Sequence, residues 1–216
     1  NKLLKVCNSI MEENYQRLHN NQQAKAKLIH DYNHHLLVLR GLLEQHKYDD
    51  IEHYLDSMMD TCCKEEPMCK SGNDVINAII NCKSSEAREY NIEFKYNIST
   101  DVPSSLLSID LCAILANQID NAFDACKRIE TYAQRTIDVH IWQNSDNIFL
   151  FQVSNSVVKN PFIENPELNS TKADGIFPHG IGLKSIKDTA EKYGGMLENS
   201  YHDGRFYSTV FIDLSA

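Results

Sequence analysis

The first 65 residues contain no proline and a single glycine, Gly41, and their apolar residues recur at spacings of three and four. Leu4, Met11, Tyr15, Leu18, Ile29, Tyr32, Leu36, Leu39 and Leu43 form a seam, interrupted by Asn8, Gln22 and Lys25. That spacing predicts one long helix reaching about His46. The polar stretch Tyr48-Asp49-Asp50 predicts a short connector. Ile51, Tyr54, Leu55, Met58 and Met59 then predict a second amphipathic helix. Two antiparallel helices cannot cover their shared seam alone, so a homodimer closing a four-helix bundle is expected. The alternative is an intramolecular pair packed onto the rest of the chain.

Pro67 to Gly72 breaks the pattern, and helical and strand periods alternate from there to the end of the chain. Asn73 predicts the cap of a helix ending near Tyr90. The alternation from Ile92 to Ile98 predicts a strand. A helix is expected from about Ser108 to Glu130, then strands over Thr136–Trp142 and Ile148–Val153. From Asn155 to His179 three prolines and weak periodicity predict a long loop, of a length that usually marks a lid. Gly180 opens a further helix that stops at Tyr193-Gly194-Gly195. Met196–Ser200 and Arg205–Leu214 close the chain as a hairpin around Asp203-Gly204. The expected fold class is α+β. A helical hairpin, residues 1–68, precedes an α/β sandwich, residues 73–216, with helices on one face of a mixed sheet.

Lys and Arg number 21 against 30 Asp and Glu, a net charge of −9. That balance argues against a sequence-independent nucleic-acid binder, which needs a basic stripe. Seven cysteines, an odd number with Cys62 and Cys63 adjacent, do not suit a secreted disulfide framework. No run of 18 apolar residues suggests a membrane span. The chain opens at Asn1 inside a helical pattern and reads as a fragment of something longer.

The helix beginning at Ser108 has two faces. At about 100° per residue, Leu111, Leu115, Ile119, Ala122, Phe123 and Cys126 fall on one side. Asn117, Asn121 and Asp124 fall on the other. Asparagine is a mediocre helix former, and Lys or Glu would serve a merely solvated face better. Carboxamide oxygens one turn apart suit Mg²⁺, which prefers oxygen and keeps several waters; a plain polar face is the competing explanation. Downstream, His179-Gly180-Ile181-Gly182-Leu183 ends the long loop and starts a helix. Glycines there let backbone amides approach a phosphate at the positive helix end.

At these residues the chain resembles a known superfamily. Asn117-Gln-Ile-Asp-Asn121-Ala-Phe-Asp124-Ala is similar to the N-box of the GHKL ATPases: gyrase, the heat-shock-ninety chaperones, histidine kinases and mismatch-repair MutL. Gly180-Ile-Gly182-Leu183-Lys-Ser-Ile resembles its G2 box. His30-Asp31-Tyr32-Asn33-His34-His35-Leu36 resembles the H-box of sensor histidine kinases, in the subgroup that includes peptide-pheromone, quorum-sensing receptors of Gram-positive bacteria. The resemblance spans almost the whole chain in the family's order, with one departure. Where the family has a DxGxG box, this chain reads Val153-Ser154-Asn155-Ser156.

The resemblance implies ATP-dependent phosphorylation of a histidine and transfer to an aspartate of a response regulator. His30 is then the nucleophile and Asp31 its hydrogen-bond acceptor. Asn121 is the Mg²⁺ ligand, with Asn117 and Asp124 beside it. His179, Gly180, Gly182 and Leu183 hold ATP phosphates, and Asn155 accepts from adenine through its amide oxygen. Lys172 either reaches the γ-phosphate from the lid or is an ordinary solvated lysine. His34 either positions water or lies on the surface, and His35 and His46 read as surface histidines. The implied setting is the cytoplasmic part of a membrane-anchored bacterial receptor, joined to the membrane through a missing N-terminal sensor region. The degenerate DxGxG box leaves a second possibility, a non-catalytic ATP-binding dimerisation module.

Overall fold

The computed structural model describes residues 23, 26–58, 69–100, 106–144, 148–166 and 181–213. They fall into a helical hairpin and an αβ unit.

In the hairpin, α1 spans 26–44 and α2 Tyr48–Met58. The break is not at Tyr48-Asp49-Asp50, as the polar run predicts, but at Gln45-His46-Lys47. His46 takes a positive φ of 55° and ends α1. Asp49 and Asp50 instead occupy the first turn of α2, where carboxylates meet the positive end of the helix dipole. His35, Leu39, Leu42, Ile51 and Tyr54 are half-buried, and His35 Nδ1 lies 2.9 Å from the Tyr54 hydroxyl. His35 is therefore a tie between the helices rather than the surface residue expected. Ile29, Tyr32, Leu36 and Leu43 of the seam remain exposed. The seam residues Leu4, Met11, Tyr15 and Leu18, and Met59, lie outside the described residues.

The αβ unit begins with α3 (Asp74–Glu89), capped by Asn73, whose Oδ1 accepts from the amides of Val75 and Ile76 at 3.0 and 3.1 Å. There follow β1 (Glu93–Ile98), α4 (Ser108–Cys126), a 3₁₀ turn (Tyr132–Gln134), β2 (Thr136–Gln143), β3 (Ile148–Ser156), α5 (Pro161–Glu164), α6 (Ile181–Lys192), β4 (Met196–His202) and β5 (Arg205–Asp213). The sheet order is β1-β2-β3-β5-β4, with β1 and β2 parallel and every other pair antiparallel. All three long helices cover one face: α3 over β1, α4 over β2 and β3, α6 over β5 and β4. Ile137, Val139, Ile141, Phe149, Phe151, Val153, Val210 and Ile212 meet Leu111, Ile114, Leu115, Ile119 and Phe123 in the core between them.

Two element ends and one connecting segment differ from expectation. α4 stops at Cys126, not near Glu130, because the chain turns at once to bury Ile129. Arg135 fastens that turn: Nε and Nη2 donate to the Ile129 carbonyl at 2.9 and 2.7 Å, and Nη1 to the Tyr90 carbonyl at 2.9 Å. β3 runs on through Asn155 and Ser156, which pair with Ile137 and Phe206 and with Arg205, respectively. The segment after it is not wholly irregular, since Asn160 caps the short α5.

α4 and α6 run antiparallel. Asp110, in the first turn of α4, accepts from Lys192 and from the Tyr193 hydroxyl at 2.6 Å, and these bonds hold its carboxyl below the usual range. The end of α6 is thus pinned to the start of α4, and the start of α6 falls beside the middle of α4. Two glycines then turn the chain into β4. Gly194 adopts φ +65°, and a Cβ on Gly195 would stand 1.9 Å from the Phe211 carbonyl oxygen. Gly195→Ala is therefore expected to push β4 from β5 and cost about 1–3 kcal/mol, the range of an overpacked site. Urea unfolding checks this; an unchanged midpoint would contradict the close approach.

Candidate functional site

The polar face of α4 is where the sequence places it. Leu111, Leu115, Ile119, Ala122, Phe123 and Cys126 are buried, so Asn117, Asn121 and Asp124 turn away from the sheet. Ile114 and Gln118 join the buried side. Gln118 is 2% exposed; its Nε2 donates to the carbonyls of Phe151 and Ser208 at 3.2 and 3.0 Å and so ties the helix to both central strands. Reasoning from the apolar row alone misses it, although its position three residues from Leu115 and four from Ile114 and Ala122 is the available signal.

Asn117 donates Nδ2 to the Ala113 carbonyl one turn back, at 2.6 Å. That bond fixes the amide and leaves Oδ1 facing outward. A Cβ built on Gly182 would lie 3.7 Å from Asn117 Oδ1 and 3.6 Å from Asn121 Oδ1. Asn117 Oδ1 and the Asn121 carboxamide, whose Nδ2 lies at 3.7 Å from the same point, therefore both face the first turn of α6 at Gly182. Two hard oxygen donors one turn apart fit Mg²⁺, which takes few protein ligands and completes its shell with water and phosphate. Among the described residues no group of three His, Cys, Asp or Glu offers an all-protein cage. The positive end of a helix such as α6 suits an anion. Leu183 packs its side chain on the core, so what it offers the site is its backbone. Lys172, His179 and Gly180 lie outside the described residues.

Asn155 closes the inner row of β3, after Phe149, Phe151 and Val153, and is 2% exposed. Its Nδ2 donates to the Ser156 carbonyl at 2.8 Å. One of the two Nδ2 hydrogens is engaged there; Oδ1 can accept a donor as an aspartate oxygen would, without the charge. Cys126 Sγ sits 3.6 Å from the Thr136 carbonyl and 3.7 Å from Ser156 Oγ, bracing this strand end. Burial pushes its thiol up, which keeps it an inert packing group.

On α1, His30 and Asp31 are exposed, with side chains 70% and 53% accessible, and His30 Nδ1 lies 3.4 Å from Asp31 Oδ1. The ring of His34, one turn on, stands 4.6 Å from that of His30, centroid to centroid. Nε2 of His30 is the ring nitrogen without this carboxylate beside it. No helix among the described residues is long and apolar enough to cross a membrane.

A comparison with curated protein sequences gave no match. Among solved structures, the catalytic domain of histidine kinase ThkA is similar at 18% identity and a TM-score of 0.52, over 66% of this chain and 92% of that one. Mycobacterial sensor histidine kinase MprB matches at 18% identity and 0.45, over 63% and 94%. Full-length ShkA in complex with AMPPNP matches at 18% and 0.49, over 73% and 33%. The ThkA likeness shows the fold: an α+β sandwich of the histidine-kinase ATP-binding type. Residues 106–213, from the start of α4 to the end of β5, match the family model of the GHKL domain, and the chain belongs to that family.

Proposed function

We propose that this chain is the catalytic part of a two-component sensor histidine kinase. It phosphorylates His30 from ATP and passes the phosphoryl group to an aspartate on a response regulator. The observation that carries the reading is the exposed His30 imidazole with its Nδ1 turned to Asp31, on a GHKL chain whose Asn117 and Asn121 oxygens meet over Gly182. Residues 1–68 serve dimerisation and phosphotransfer and residues 73–216 bind ATP; the H-box resemblance supports a place in the Gram-positive peptide-pheromone, quorum-sensing subgroup. It lies in the cytoplasm, carried by a sensor region anchored in the membrane.

Each residue has a role in that reaction. Asn155 Oδ1 accepts from the adenine amino group. Gly180, Gly182 and the amides of His179 and Leu183 hold phosphates, Lys172 approaches the γ-phosphate, and Asp124 borders the same groove. Asn121, with Asn117, would hold Mg²⁺, whose charge offsets that of the phosphates. His30 Nε2 attacks the γ-phosphorus as the bond to the ADP oxygen breaks. The Nδ1 proton passes toward Asp31, which acts as general base. The neutral Asn155 in place of an aspartate supports one rival, an ATP-binding signalling module without transfer.

The exposed Ile29, Tyr32, Leu36 and Leu43 on α1, with Leu55 and Met58 on α2, support a homodimeric four-helix bundle, since a second copy covers them. Light scattering is expected to return twice the chain mass at tens of micromolar; a single-chain mass would contradict the bundle. Incubation with γ-labelled ATP is expected to give acid-labile label on the wild type and none on His30→Gln. Asp31→Asn is expected to slow labelling by roughly 10²–10⁴-fold. An unlabelled wild type would favour the non-catalytic module, and label persisting in His30→Gln but lost in His34→Gln would move the nucleophile one turn.

A further inference from the structure

We infer that Phe162 and Phe206 form the wall on which the nucleobase stacks, a positioning device separate from the hydrogen bond offered by Asn155. The inference rests on the reading of Asn155 as the group that meets the base. Register fixes the neighbourhood: Asn155 pairs with Ile137 on one side and Phe206 on the other, and Phe206 with Tyr201. All four therefore share the last inner row of the sheet before its strands end. Along the central strands that inner face is closed, with Phe149 4% and Phe151 0% exposed. In the last row Ile137 and Asn155 stay closed, but toward β5 and β4 it opens, and Phe206 and Tyr201 are only half-buried. Against it rests Phe162, also half-buried, with ring centroids 6.1 Å apart and planes inclined by 36°.

Phe162 is held there by local chemistry. Asn160 Oδ1 accepts from the Phe162 amide at 3.0 Å, and Pro161 sits in the first turn of α5. The Val157 amide donates to the Gly204 carbonyl at 3.3 Å, tying the segment that leads into α5 to the turn before β5. A fixed, partly open aromatic pair beside a buried acceptor matches the two demands of an aminopurine: an acceptor for the amino donor at its edge and an apolar surface for its flat face. Stacking on an aromatic ring depends on the π-face, so it distinguishes a ring from an aliphatic side chain of similar bulk.

The test is calorimetric titration of MgATP into the full chain, with the nucleotide-free melting temperature read for each protein. Phe162→Leu keeps apolar bulk and removes the ring; Phe162→Tyr keeps the ring. Expected is a loss of affinity of roughly ten-fold or more in Phe162→Leu, near-wild-type affinity in Phe162→Tyr, and unchanged melting in both. Wild-type affinity in Phe162→Leu overturns the inference, as does equal weakening in both variants. Weakening that tracks a lower melting temperature marks packing alone and also overturns it. A wild-type chain that binds no MgATP overturns the nucleotide reading itself, an outcome distinct from the others.

Discussion

Burial of one face of α4 against the sheet is the constraint on which the rest depends. Leu111, Ile114, Leu115, Ile119 and Phe123 are all essentially inaccessible. At about 1.5–3 kcal/mol for each such side chain, their burial is of the order of 10 kcal/mol, comparable to the whole stability of a domain. Turning the helix would expose that row and bury asparagines, so its orientation is not negotiable. Gln118 adds direction to the apolar grip, because its amide must find the Phe151 and Ser208 carbonyls. With that side committed, Asn117 and Asn121 have only the opposite side. The bonds from Lys192 and Tyr193 to Asp110 then bring Gly182 across from them. A packing requirement and one polar latch thus assemble a site from residues some sixty positions apart.

Much of this was legible in the chain. The period of α4 separates its two faces without any structure, and Asn73, Gly194 and Asp203-Gly204 mark ends and turns by their own backbone chemistry. The errors lie where a distant partner decides. Arg135, beyond the helix, takes the Ile129 carbonyl and stops α4 early, which no local period foretells. Asp49 and Asp50 look like loop residues but are equally good openers of a helix. Asn155 and Ser156 look like the start of a loop, yet strand pairing on both sides keeps them in β3. Phe162 and Phe206, 44 positions apart, become neighbours only through the β3–β5 register.

The end of β3 carries Asn155 where the resemblance leads one to expect an aspartate. Asn155 Nδ2 donates to the Ser156 carbonyl, and its carboxamide oxygen is an acceptor that carries no charge. On the hairpin, the physics is the reverse of a core: His30 and Asp31 are exposed, and their neighbours on the apolar seam remain uncovered. A group that must be reached by another domain belongs on such a surface.

The proposed site depends on Asn117 and Asn121 facing the bare backbone of Gly182. Gly182→Val tests it most directly, since a Cβ there already touches both carboxamide oxygens and the γ-methyls crowd the space that they face. Titration calorimetry with MgATP, alongside nucleotide-free melting, is the measurement. The account predicts an affinity lower by roughly ten-fold or more with the fold intact. Wild-type affinity in that variant would contradict it.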